Sequence, residues 1–328
     1  MKDLKPNYTL YAFKVLAMLM IINLHHMLNI VPISSILYEL CRIAVPFFFI
    51  VSGYYGYNPD FTYEVQKNKQ KTIQSLKTIV VYFALYFVFN IYFNYISGTL
   101  HNLIAELKNP INYFYLIVLS YATPLIGAPH LWFYLSLVIV YILMIAFNKF
   151  IRKNKHVTLL FSLLILLSVY VFELQFSTSV ASMVYRNAFF LAFPLYYIGY
   201  YLHMENIIDS ISFKHIFLLF IISTIISTTE FMLINKSLVF YINSITFAIF
   251  LIVLSLKHPT LINNSVLTYI GKYLSKDVYL FHFFLVLVLY KVHLNKNLGY
   301  IFIAISSIIV AYIINICKTK IVSISEKI

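Results

Sequence analysis

Long apolar runs, separated by short polar connectors, fill the chain from end to end. A helix needs roughly 20 apolar residues to cross the hydrocarbon of a bilayer. By that measure ten runs predict spans, at 8–31, 35–57, 78–97, 131–148, 157–174, 184–202, 214–234, 238–256, 268–291 and 298–317. The segment 110–127 is apolar too, but it is short and broken by Pro110, Pro124, Gly127 and nearby Pro129. That pattern predicts an interfacial or re-entrant piece. The pattern as a whole predicts an all-α polytopic membrane protein of about ten transmembrane helices, forming a single membrane domain over 1–328.

The connectors orient this array. With the N-terminus inside, the inner segments hold Lys2, Lys5, Lys67, Lys69, Lys71, Lys77, Lys149, Arg152, Lys153, Lys155, Lys214, Lys257, Lys272, Lys276, Lys318, Lys320 and Lys327. The outer ones hold only Lys108, Lys236, Lys291 and Lys296. Basic residues concentrate on the cytoplasmic side, which places both termini there. Treating 110–127 as a crossing would invert every later connector and scatter the basic loops.

Composition agrees. Hydrophobic residues make up 62% of the 328 and charged ones 11%, against ~25% charged in soluble domains. The formal charge of +13 lies in connectors rather than on a phosphate-binding face, which argues against nucleic acid as a partner. Cys41 and Cys317 fall in different apolar runs and form no metal or redox pattern. The first apolar run contains Lys14, His25 and His26, so it reads as a retained span rather than a cleaved signal.

Polar residues inside spans then become informative, because each costs a few kcal/mol unless it meets a partner or a water-filled cavity. Lys14 and His25 stand eleven residues apart on the first span. Eleven steps of ~100° fall within about 20° of whole turns, so both point to one face, ~16 Å apart along the axis. Lys14 sits near the cytoplasmic end and His25 in the outer half. Arg42, about two turns into the second span, reaches a similar depth. Glu39 precedes it by three residues and can neutralise it on one helix face. His130 and Trp132 open the fourth span, Trp132 at an interfacial anchor position. Glu173, Arg186 and Glu230 lie near the outer ends of the fifth, sixth and seventh spans, and His282 near the middle of the ninth. The topology predicts a polar cavity open outward, with Lys14 and the Ser52–Gly53 region nearer the cytoplasm. Taken singly, each of these residues also fits ordinary helix packing.

No nucleophile elbow, phosphate-binding loop, zinc spacing or dinucleotide fingerprint is present. What remains is a buried His with cationic companions and carboxylates. A neutral His can take the proton of an acceptor hydroxyl as it attacks a thioester. Glu39, Glu173 or Glu230 can fix its tautomer, and Arg42 or Arg186 can stabilise an oxyanion. Lys14 suits the phosphates of a carrier such as coenzyme A.

These residues resemble the acyltransferase-3 family of integral membrane acyltransferases. Lys14-x10-His25 is similar to its Arg/Lys-x10-His signature, with Lys where Arg is commoner. Arg42-Ile43-Ala44-Val45-Pro46-Phe47-Phe48-Phe49-Ile50-Val51-Ser52-Gly53-Tyr54 resembles its second-span motif. His130-Leu131-Trp132-Phe133 resembles its His-Leu-Trp-Phe-Leu segment, with Tyr134 in place of Leu. Arg186, followed by Phe189-Phe190 and Gly199-Tyr200, and Tyr279-Leu280-Phe281-His282 resemble its later motifs. The resemblance implies transfer of an acyl group, usually acetyl from cytoplasmic acetyl-CoA, to a carbohydrate hydroxyl, with no metal. It implies His25 as the catalytic His and Lys14, Arg42 and Arg186 as its support. Ser52 and Gly53 then belong to the donor side, and Glu39, His130, Trp132, Glu173, Glu230 and His282 to the acceptor side. It further implies a multi-pass protein of the bacterial plasma membrane, without an appended soluble domain. Its partners would be membrane lipids, a carbohydrate acceptor (a surface polysaccharide or its lipid-linked precursor) and polysaccharide-assembly machinery. A transporter or flippase of a glycan or lipid is the rival reading. It leaves the Lys14–His25 spacing unexplained, and no clear repeat of the kind transporters carry stands out.

Overall fold

The computed structural model describes residues 6–31, 33–176, 185–234, 238, 240–290 and 295–325. Lys2, Lys5, Lys236, Lys291 and Lys327, which enter the charge pattern above, lie outside the described residues. The described residues form helices and no strand. Eight of these helices are long and apolar enough to cross a membrane: Tyr8–His25, Ser34–Tyr54, Phe61–Ile96, Pro129–Ala146, Lys155–Gln175, Phe213–Leu233, Ser265–Tyr290 and Lys296–Lys320. The chain is an all-α multi-pass membrane protein.

The other two expected spans are helical but short. The sixth is a π turn, Ala188–Ala192, that runs into Phe193–Met204, and the eighth is Ile242–Lys257. The 16 residues of the eighth rise ~24 Å, short of the ~30 Å hydrocarbon thickness. Segment 110–127 forms two short helices, Pro110–Val118 and Thr123–Ile126, with Ser120 between them at φ 56°. Neither is long enough to cross.

Helix ends depart from the apolar runs for local reasons. The first helix stops at His25, well before the run ends at 31, because the Asn23 side chain accepts the Leu28 amide at 2.7 Å and turns the chain. The third begins at Phe61 rather than near 78. Asp60 caps it, accepting from the Thr62 and Tyr63 amides at 2.8 and 3.1 Å, and Glu, Gln and Lys sustain the helix outside the apolar stretch. The second tightens to a 3₁₀ turn at Cys41–Ile43. Pro46 has no amide to offer the Arg42 carbonyl four residues earlier, which leaves that turn free to tighten.

The chain divides into two compact units that interleave in sequence. One comprises Met1–Phe48, Ile208–Lys236 and Tyr241–Ile328; the other comprises Phe49–Ile207 and Ser237–Phe240. The first unit is built around Val15, Met18 and Ile22 of the first helix, Leu274, Val278 and Leu289 of the ninth, and Ile303, Ala304 and Ala311 of the tenth. At Gly271 the ninth helix widens into a π turn directly against the Tyr11 carbonyl, where a Cβ would collide. Asn7 ties the start of the first helix to the eighth segment, accepting from the Leu10 amide at 2.8 Å and donating to the Ser255 carbonyl at 2.8 Å.

In the second unit the third helix packs on the fourth and the fifth on the sixth segment. Gly53 and Gly199 face each other's helices: a Cβ on Gly53 would strike the Tyr196 carbonyl, and one on Gly199 the Ile50 carbonyl. Lipid tails are as apolar as side chains, so helices in a bilayer gain by close backbone approach, which small residues permit.

Candidate active site

The first unit gathers Lys14, His25, Glu39, Arg42, Glu230 and His282. His25 is the last residue of the first helix, half-buried, with its ring 5.3 Å from that of His282 and edge-on to Phe283 at 5.2 Å. His282 is buried in the ninth helix, and its Nδ1–H donates to the Tyr279 carbonyl at 2.7 Å, which fixes the ring that His25 meets. Lys14 lies on the same first helix, half-buried, its ammonium 5.5 Å above the Tyr11 ring.

Arg42 lies in the 3₁₀ turn, which packs on the first helix and the eighth segment. Its guanidinium sits 5.0 Å over the Tyr38 ring, donates to the Tyr38 hydroxyl at 3.4 Å and reaches 4.0 Å from Glu39. The expected Glu39–Arg42 pairing on one helix face is therefore present. At that distance and with both side chains partly exposed, it contributes little.

Asn23 joins these parts and is the residue that sequence reasoning passed over. It is 2% exposed. Its amide nitrogen donates to Cys41 Sγ at 3.3 Å while its carbonyl oxygen holds the Leu28 amide. Two residues before His25 and bonded one residue before Arg42, it fixes the His25 turn against the Arg42 turn. The available signal was an uncharged polar residue inside an apolar span. Asn23→Ala leaves the half-buried Leu28 amide without its acceptor, at roughly 1 kcal/mol, the low end of the range because water reaches that amide. A lowered thermal midpoint of the purified protein is the expected result.

Two of the carboxylates considered as partners of His25 accept backbone amides. Glu230 accepts from the Ile242 and Asn243 amides at 2.9 and 2.8 Å, capping the eighth segment. Glu173, in the second unit, is buried and accepts from the Phe240 amide at 3.1 Å. His26 donates Nε2–H to the Lys296 carbonyl at 3.1 Å, beside Gly299, whose missing side chain makes room for it.

The second unit holds His130, Trp132, Glu173, Arg186, Ser52 and Gly53. His130 is buried in the turn Pro129–Leu131, edge-on to Tyr86 at 5.1 Å. Trp132, expected as an interfacial anchor, is buried instead, 5.7 Å from the Phe49 ring. Arg186 is half-buried and precedes Asn187, whose side chain accepts from the Phe189 and Phe190 amides at 2.8 and 3.0 Å. The π turn that follows is a distortion found often near functional residues. Gly53 serves the helix contact described above, and Ser52 beside it is half-buried.

This unit also contains a charged cluster absent from the sequence-derived set. Glu64 is fully buried. It accepts from Arg152 at 2.7 Å, from the Asn58 amide at 2.8 Å, from the Tyr200 hydroxyl at 3.1 Å, and from Asn148. Arg152 also donates to the Asn58 and Pro59 carbonyls and lies 5.2 Å over the Tyr57 ring. Burial works against its charge, but Tyr200 and Glu64 outweigh burial and hold the guanidinium above its ordinary value. Among the described residues no three of His, Cys, Asp and Glu gather as a metal site.

Compared with known proteins, residues 7–316 match the model of a family described as an acyltransferase domain. No curated protein and no solved structure matches the chain.

Proposed function

The chain belongs to the acyltransferase-3 family and is a membrane acyltransferase, and from that premise we propose that it moves acetyl from cytoplasmic acetyl-CoA to a hydroxyl of a surface polysaccharide or its lipid-linked precursor. Its setting in this reading is the bacterial plasma membrane, with both termini cytoplasmic. The observation that supports it is the His25 turn: a half-buried imidazole at a helix end, fixed by Asn23 and bonded through that residue to the turn that carries Arg42.

An imidazole nitrogen of His25 takes the proton of the acceptor hydroxyl as its oxygen attacks the thioester carbonyl. The C–O bond forms, the C–S bond breaks, and coenzyme A leaves as the thiol after receiving that proton. Arg42 supplies positive charge for the oxyanion. Lys14, about three turns away along the same helix, faces the donor's phosphates. A deletion strain tests the reading: the glycan should still reach the surface but lack its ester groups, as seen by NMR of the isolated polymer. Glycan that stays inside would sink it in favour of transport.

A further inference from the structure

Around Glu64, in the second unit, the protein presents more hydrogen-bonding groups than it satisfies itself. Among the described residues, both amide atoms of Asn68, Oδ1 of Asn148, the hydroxyl of Tyr196 and Nε of Arg152 are buried without a hydrogen-bond partner. Arg152 and Asn148 bind the Glu64 carboxylate through their other nitrogens. Asn68 is fully buried and lies four residues beyond Glu64, on the same face of the third helix. Tyr196 is fully buried too, one turn before Tyr200, whose hydroxyl donates to Glu64 at 3.1 Å. The Tyr196 hydroxyl rests against Gly56, where a Cβ would collide with it. Gly56 stands two residues before Asn58, whose amide Glu64 accepts at 2.8 Å.

A buried amide or hydroxyl without a partner is costly, and folded proteins bond nearly all such groups, through ordered water where protein atoms do not reach. The kind of partner follows from the mixture of groups. Asn68 offers a donor and an acceptor, and the Tyr196 hydroxyl can act as either. Arg152 Nε only donates, and Asn148 Oδ1 only accepts. A cation would satisfy the acceptors alone, and an anion the donors alone. Glu64 and Arg152 neutralise each other at 2.7 Å, so the pair has no net charge for an ion to balance. Lys71, two turns beyond Glu64, is engaged over the Tyr141 ring at 5.3 Å. Water both donates and accepts.

We propose that ordered water is bound beside Glu64, held by Asn68 and shared with Tyr196 or Asn148, as an integral part of this cluster. It carries the polar network one turn further along the third helix than the direct bonds of Glu64 extend. It thereby adds a second tie between the third helix and the sixth segment. The site is independent of the acyl-transfer reading.

A crystal structure of the full-length protein, grown in a lipid phase with bromide replacing chloride and resolved well enough to show solvent, tests the site. Solvent density within hydrogen-bond distance of Asn68 and of Tyr196 or Asn148 is the expected result. Asn68 bonded directly to a protein group overturns the proposal, as does Asn68 with no solvent density beside it. Anomalous bromide signal at the site also overturns it, pointing to an anion. Stability supplies a second test, decided by its sign. Leu has nearly the size of Asn and no polar side-chain atom. Were Asn68 unbonded, Asn68→Leu would remove a penalty and raise the melting midpoint. With water bound, the same change breaks bonds on both sides and lowers the midpoint by a few degrees. Tyr196→Phe should lower it as well, and the double variant should lose less than the sum of the singles, since the two side chains hold one water. A raised or unchanged midpoint for Asn68→Leu overturns the proposal, and fully additive losses do so too. Where a variant does not fold, the crystal structure of the native protein decides.

Discussion

His25→Ala is expected to reduce acyl transfer by a factor on the order of 10²–10⁴, the usual contribution of a positioned general base, while the protein still inserts and folds. The separation of chemistry from folding rests on where the residue sits. His25 closes the first helix and is half-buried, and its ring packs against His282 and Phe283. Losing contacts of that kind costs about 0.5–1.5 kcal/mol, too little to unfold the bundle. The turn itself is held by Asn23 and the Leu28 amide, which do not involve the imidazole. His25→Gln is the sharper variant, since it keeps a polar side chain yet cannot take up a proton near neutral pH. Both should lose transfer alike, measured as ester formed by purified protein per folded molecule. Retention of more than roughly a tenth of the native rate by His25→Gln would remove His25 from the base role. His26 is a poor control, because its bond to the Lys296 carbonyl anchors the tenth helix.

The membrane architecture was legible because bilayer thickness imposes a length and an apolarity that a single sequence displays directly. The limits of that signal show at particular places. The apolar run beginning near 78 marks where lipid starts, but the helix begins at Phe61, because hydrogen bonding and the Asp60 cap do not end at the bilayer. The sixth and eighth segments are apolar enough to read as crossings, yet a π turn shortens one and a Glu230 cap starts the other at Ile242. Neither device leaves a hydropathy trace.

For the site, charged residues and histidines inside spans drew attention because they are costly there, and this brought out His25, Arg42 and His282. It also brought out Glu173 and Glu230, whose cost is met by backbone amides of the segment 240–243. A carboxylate that caps a helix and one that orients an imidazole look alike in sequence; only the partner distinguishes them. Asn23 was missed for the converse reason. An uncharged amide is a modest expense in a span, and its value comes from two bonds to residues five and eighteen positions away. Trp132 shows the same ambiguity, since a residue at a span's end serves equally as an interfacial anchor or as packing against Phe49.

The cluster around Glu64 gives the largest expected effect on stability. Arg152→Ala leaves a fully buried carboxylate with neutral donors only: the Asn58 amide, the Tyr200 hydroxyl and Asn148. Removing one partner of a buried ion pair costs about 3–5 kcal/mol. The lower end applies here, because Arg152 is partly exposed and water reaches the vacated position. Arg152 also closes the loop before the third helix through the Asn58 and Pro59 carbonyls, so its loss frees that loop together with the Glu64 contact. Glu64→Gln alone is harmful for a different reason, since its amide nitrogen would point at a group that itself donates. The two changes share their partners, so the double variant Glu64→Gln with Arg152→Ala should be less destabilised than the sum of the singles. Thermal melts of detergent-solubilised protein, with transfer rate expressed per folded molecule, separate the outcomes. The singles should melt well below the native protein and keep their rate per folded molecule. An unchanged midpoint for Arg152→Ala would mean that the pair is not what holds the start of the third helix to the helix Asn148–Lys153 and the sixth segment.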